Sequence, residues 1–238
     1  MNQLVHLKHL EPVAIGRQRY VFVHPDDPGL IVKVVTEGYV ARRSDKGGRP
    51  YKRWYKNYIR SRHHQVFLRE INEHLALRAA ESSLPRYVQE IVGFAETDIG
   101  MGVVSRAVRD RNGDLAPTLR TLLEEGRFDG EARGHLDEFF CWLLHSVVVI
   151  GDLNAGNVVY GYDPQWGDHF VVIDGIGDKN IIPLSSMSAR LNRMSKERRI
   201  KRINEEIAHT APTLAVSVAP SPRSAPRQRL AEAADNLR

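Results

Sequence analysis

Three residues stand at fixed places around apolar segments. Asp152 and Asn157 lie in VVVIGDLNAGNVVYG (147–161), and Asp174 lies in HFVVIDGIGD (169–178). All three are oxygen donors at the ends of strand-like runs, which is the ligand chemistry that suits Mg²⁺ bridging phosphate groups. Further upstream, Lys33 is the single charge in LIVKVV (30–35). A buried ammonium is costly without a counter-charge, so it calls for an anionic partner such as a phosphate or a carboxylate. Glu70, on a helical face with Val66, Phe67 and Leu77, is one candidate, and Glu73 is the other.

The elements that must hold these residues can be read from periodicity. PVAIG, YVFVHP and LIVKVV are short β-branched and aromatic runs separated by turn residues, which predicts an antiparallel meander. VFLREINEHLALRAA (66–80) predicts a helix with Phe67, Ile71 and Leu75 one turn apart. IVGFAET and GMGVVSRAV return to strand character. From Asp129 onward, Leu136, Phe139, Phe140, Leu143, Leu144 and Val147 recur at three and four, the pattern of a buried helix. The motif around Asp152 predicts strand, turn and strand, and a basic helix is expected at about 187–208.

Two segments stand apart. Residues 38–64 carry nine Lys/Arg against one Asp45, with Tyr51, Trp54, Tyr55 and Tyr58 on one helical stripe. That stripe favours packing against the domain with the basic face in solvent, although basic and aromatic residues together also suit nucleic acid. The late basic helix, Arg190 to Arg202, reads in the same way. Residues 211–238 hold four prolines and little apolar period, the composition of a disordered tail.

Charge and composition narrow the class. The 238 residues are 42% apolar, enough for a core, and a net charge of +5 suits anionic ligands. Cys141 is the single cysteine, so no internal disulfide forms, and a small core residue is its simplest role. No run of 18 apolar residues is present and MNQLVHLKHLEP lacks the apolar core of a signal peptide, so a cytoplasmic protein without membrane segments is expected. The histidines fall into no metal-ligand spacing.

Taken in order, LIVKVV, Glu70, GDLNAGN and VVIDGIGD resemble the parts with which protein kinases transfer phosphoryl groups: strand lysine, helix glutamate, catalytic aspartate with its asparagine, and metal-binding aspartate. SLPRYVQEIVGFAETDIGMG, GDLNAGNVVY, VVIDGIGD and IIPLSSMSARLNRMSKERRIKR are similar to the YrbL family of PhoP-regulatory-network proteins, over residues 12 to 208 or so. The resemblance implies an α+β, protein-kinase-like bilobal fold in a bacterial cytoplasmic protein. A β-rich lobe would span 1–108 with the basic insertion at about 38–64. A short, truncated helical lobe would span 109–208, followed by the tail at 209–238. It implies ATP and Mg²⁺ as cofactors, Gly16, Lys33 and Glu70 as nucleotide-binding residues, Asp152 as the catalytic base, and Asn157 and Asp174 at the metal.

The chain departs from active kinases in several places. GRQRYVF keeps Gly16, but Arg17 and Arg19 stand where small residues would close on phosphates; they either contact phosphate or are solvated. Ile150 replaces the histidine two before Asp152, removing the usual polar bracing of the loop. Asn154 stands where Ser/Thr kinases have lysine, and Gly175 replaces the phenylalanine after the metal-binding aspartate, as in small-molecule phosphotransferases. Only about 30 ordered-looking residues follow Asp178, too few for a peptide-docking platform. Two functions follow: a phosphotransferase on a small or unidentified hydroxyl acceptor, or a non-catalytic regulator using basic surfaces on an acidic protein or nucleic-acid partner.

Overall fold

The computed structural model describes residues 4–16, 18–36, 64–80, 84–178 and 188–214. Its first part is an antiparallel five-stranded sheet. β1 (Ala14–Ile15), β2 (Arg19–Val23) and β3 (Leu30–Val35) form the expected meander. β4 (Ile91–Thr97) and β5 (Gly100–Arg106) complete it in the order β1-β2-β3-β5-β4. β3 is central, which is why Ile31 through Val35 are buried on both faces and Lys33 with them. Register places Lys33 between Val21 of β2 and Val103 of β5.

α1 (Gln65–Ala80) buries Phe67, Glu70, Glu73, His74 and Leu77. The expected stripe of Phe67, Ile71 and Leu75 is therefore rotated: Leu75 is 61% exposed, and the inward face is the one that carries the glutamates. α2 (Leu119–Glu124) is capped by Thr118, and α3 (Gly130–His145) by Asp129, whose carboxylate accepts the Ala132 N–H at 2.9 Å. α3 ends at His145, so Val147 lies beyond it and is exposed. Cys141 is half-buried on α3 rather than in the core.

The larger core surrounds α3. Leu136, Phe139 and Leu143 meet Phe170 and Val172 of a hairpin, β6 (Val158–Asp163) and β7 (Gly167–Val172). Ile203 and Ile207 of α4 (Ala189–Thr210) close the same core. Truncating a fully buried phenylalanine such as Phe139 costs about 3–5 kcal/mol, so this core ties the helices to the hairpin firmly. Val147–Ile150, expected as a strand, joins no sheet; Ile150 makes only isolated bridges to Ile176 and Gly177. The architecture is mixed α+β. The basic stretch at 38–64 falls almost wholly outside the described residues. So does most of the tail, although α4 runs on to Thr210 and a 3-10 turn follows at Pro212–Leu214. Among the described residues no helix is long and apolar enough to cross a membrane.

Candidate functional site

β3 carries Lys33 into the space between sheet and hairpin. Its Nζ donates to Gln89 Oε1 at 2.7 Å and to the Ile173 carbonyl at 2.6 Å. Burial lowers the lysine pKa, with the Glu70 carboxylate opposing that shift and the Arg19 cation adding to it. Glu70 is bonded elsewhere: Arg19, the first residue of β2, donates Nη1 to Glu70 Oε2 at 2.8 Å and Nη2 to Oε1 at 2.7 Å. The same Nη2 reaches Asp174 Oδ1, which also accepts the Gly175 N–H. Arg19 is 4% exposed and lies over the Phe67 ring, so it is neither solvated nor free for a ligand. Arg17 is outside the described residues.

Glu73, the other expected partner of Lys33, turns to the opposite side. Its Oε1 accepts the Val149 N–H at 2.7 Å, and burial raises its pKa. Both glutamates therefore point inward, and the hydrogen bonds of Lys33 among the described residues go to neutral oxygens. Burial works against the charged form of Asp174, but Arg19 and Lys33 together hold its carboxyl down to about 2.

The segment between Asp152 and Asn157 is a tight polar turn. Asn154 Oδ1 accepts the Gly156 N–H at 2.9 Å and starts the 3-10 turn Ala155–Asn157. Asn154 thus shapes the loop at the position where Ser/Thr kinases carry lysine. Asn157 donates Nδ2 to the Asp152 carbonyl at 2.8 Å, which commits its amide nitrogen and leaves its carbonyl oxygen as an acceptor. The pairing of Val158 with Val172 places Asn157 beside Ile173, whose N–H donates to the backbone carbonyl of Asn157 at 3.0 Å. Asp174 follows directly. Strand register thus brings Lys33, Asn157 and Asp174 to one end of the β6–β7 hairpin.

Two glycines make the close approach possible. Gly175 has φ +80°, and a Cβ there would lie 2.5 Å from the Asp152 carbonyl oxygen. Its own carbonyl accepts the N–H groups of Gly151 and Asp152 at 2.8 and 3.0 Å. Gly177, at φ +88°, sits against the backbone of Arg69 on α1, where a Cβ would meet the Arg69 carbonyl at 2.8 Å. The loop before Asp152 is therefore braced through the backbone, correcting the expectation that Ile150 leaves it without polar support.

α4 supplies support that its basic composition concealed. Asn192 donates Nδ2 to the carbonyls of Val147 and Val148 at 3.2 and 3.0 Å. Lys196, 1% exposed, donates to the carbonyls of Leu143 and Ser146, both at 2.7 Å. It caps the C-terminus of α3 rather than facing solvent. Arg199, half-buried one turn on, has its pKa lowered by burial and opposed by the Asp152 carboxylate. The i, i+4 spacing of Asn192 and Lys196 was the available signal, hidden in a run of exposed cations.

Gly16 stands apart from this cluster. It lies at the exposed tip of the β1–β2 hairpin, where its N–H donates to the Arg19 carbonyl at 2.8 Å. Among the described residues no three His, Cys, Asp or Glu side chains gather for a metal. The Asp174 carboxylate and the Asn157 amide oxygen are nevertheless hard donors of the kind Mg²⁺ takes when phosphate and water complete its shell. Those residues fit the group.

Fold and site define an α+β protein whose sheet and helical parts meet over a cluster of two buried cations, Arg19 and Lys33, and two carboxylates, the buried Glu70 and the partly exposed Asp174. The chain belongs to the YrbL family: the family described as PhoP regulatory network protein YrbL matches residues 5–208. It is similar to the uncharacterized protein YrbL of Escherichia coli K12, 27% identical over 224 residues, which cover 92% of this chain and 94% of the relative. The uncharacterized protein YrbL of Shigella flexneri is similar to the same extent, 27% over 224 residues.

Proposed function

We propose that the chain is a protein-kinase-like, Mg²⁺-ATP-dependent phosphotransferase acting on a small hydroxyl acceptor, at work in a PhoP-type regulatory network in the cytoplasm. The carrying observation is Lys33, a buried ammonium hydrogen-bonded to two neutral oxygens, that of the Gln89 amide and the Ile173 carbonyl, the latter one residue before Asp174. In this reading the β-rich lobe spans 1–108 and the short helical lobe 109–208. Lys33 meets phosphate, Glu70 orders α1 through Arg19, and Gly16 lets the hairpin tip approach the nucleotide. Asn157 and Asp174 hold Mg²⁺, which when bound offsets charge on the phosphate oxygens. Asp152 takes the proton of the acceptor hydroxyl as that oxygen bonds to phosphorus and ADP leaves.

One observation favours a second reading. Arg19 already occupies an oxygen of Asp174, as expected of a non-catalytic regulator that uses the fold without turnover and acts on an acidic or nucleic-acid partner. Thermal melting with ATP, with and without Mg²⁺, separates the two. A ligand at 100 times its dissociation constant stabilises by about 2.7 kcal/mol, roughly 5–10 °C for a domain of this size. Wild type should show that shift only with Mg²⁺, and Asp174→Ala should lose it. Asp152→Asn should keep the shift and lose phosphoryl transfer. No Mg²⁺-dependent shift at saturating ATP removes the enzyme reading.

A further inference from the structure

Buried Arg19, Lys33 and Glu70 and the partly exposed Asp174 form a group whose formal charges sum to zero. The Arg19 guanidinium lies between the two carboxylates, forked on Glu70 and bonded to Asp174 by the same nitrogen. Lys33 is fixed separately by Gln89 and Ile173. The two cations have thus divided their duties: Arg19 neutralises both carboxylates, and Lys33 is held by neutral oxygens.

We propose that Arg19 is a resident cation that competes with a divalent metal for Asp174. This deepens the reading above and rests on its assignment of Asp174 to the metal. A divalent ion entering alone adds two positive charges to a cluster that is already neutral, at a partly exposed carboxylate beside the buried cations Arg19 and Lys33, whose repulsion opposes it. Entry therefore requires Arg19 to leave Asp174, or an anion to arrive with the metal. Arg19 makes the site refuse free metal and accept a metal carried by a polyanion, for which the released guanidinium and Lys33 are ready donors.

The test uses Mn²⁺ as the probe and electron paramagnetic resonance of free Mn²⁺ as the readout, without nucleotide, on the full chain. Arg19→Gln removes one positive charge and should bind Mn²⁺ at least tenfold more tightly than wild type. Arg19→Gln with Asp174→Asn should lose that gain. Equal affinities in wild type and Arg19→Gln, with circular dichroism showing both folded, would overturn the proposal, as would a gain that survives Asp174→Asn. If Arg19→Gln does not fold, Arg19→Lys serves: it keeps a counter-ion for Glu70 without the fork that spans both carboxylates. It should bind Mn²⁺ about threefold more tightly or better, and no gain would equally overturn the proposal. Failure of the nucleotide reading is distinguishable. It appears as wild-type Mn²⁺ affinity unchanged by ATP, while Arg19→Gln still gains.

Discussion

Gly175→Ala is the most direct test of how the candidate site is assembled. Gly175 has φ +80°, a conformation that costs an L-residue roughly 1–2 kcal/mol. The added Cβ would also lie 2.5 Å from the Asp152 carbonyl oxygen and 2.8 Å from its Cβ, inside the 3.4–4 Å of ordinary contact. To relieve this, the Asp152 backbone must move away. That move strains the two hydrogen bonds that the Gly175 carbonyl accepts from Gly151 and Asp152, each worth about 1 kcal/mol net. The sum is about 3–4 kcal/mol, or roughly 6–15 °C in Tm for a domain of this size. Gly113 supplies the control: its φ is +86°, but nothing lies within 4 Å of its Cβ position. Gly113→Ala should therefore lose only the backbone cost, roughly 1–2 kcal/mol. The two variants are compared by thermal melting and urea denaturation. If Gly175→Ala is no less stable than Gly113→Ala, the contact with Asp152 does not hold the loop, and the bracing argument fails.

Two further outcomes follow from the same geometry. Asp174 is held at about 2, below its ordinary 3.8, so its contribution is present above pH 3.8 or so and is lost as pH falls toward 2. Its side chain is 43% exposed, so after solvent screening Asp174→Asn should cost about 1 kcal/mol at pH 7. The gap from wild type should close between about pH 4 and 2 in urea titrations, and a pH-independent gap would refute the Arg19 pairing. Glu73→Ala orphans the Val149 N–H and should cost about 2 kcal/mol, whereas Glu73→Gln keeps an acceptor and should cost less than half of that. Equal losses in denaturant midpoints would show that packing, not the hydrogen bond, is what Glu73 provides.

The elements were legible because their signals are local. Period-two and period-three-to-four patterns located the strands of the sheet, α1, α3 and α4, and Lys33 was rightly read as buried. The grouping of Asn157 with Asp174 was also within reach, since each flanks one strand of the same hairpin. What escaped were pairings set by tertiary contact. Arg19 meets Glu70 across 51 residues and Asp174 across 155, and no spacing rule links positions that far apart. Lys196 lay in a run of cations whose neighbours do face solvent, so composition assigned it to their side. On α1, hydrophobicity favoured Leu75, but ion-pairing and backbone acceptance made Glu70 and Glu73 the better inward residues.

Ile150 bears on whether the site works. A histidine at this position would brace the loop with a single side chain, and its loss suggests a loosened, inactive loop. The structure distributes that duty differently. Asn192 holds the carbonyls of Val147 and Val148, Glu73 holds the Val149 N–H, and the Gly177 N–H donates to the Val149 carbonyl at 2.7 Å. Gly175 then holds Gly151 and Asp152. Support therefore comes from α4 on one side and α1 on the other, and Ile150 is free to fill the core, where it is 2% exposed. A missing histidine is no argument against catalysis when the backbone it would steady is already fixed at each residue around it. The departure that can silence the site is Arg19, because it sets a cation on the Asp174 oxygen that the proposed chemistry would use. A Mn²⁺ titration of Arg19→Gln consequently says more about activity than restoring the histidine at position 150 would.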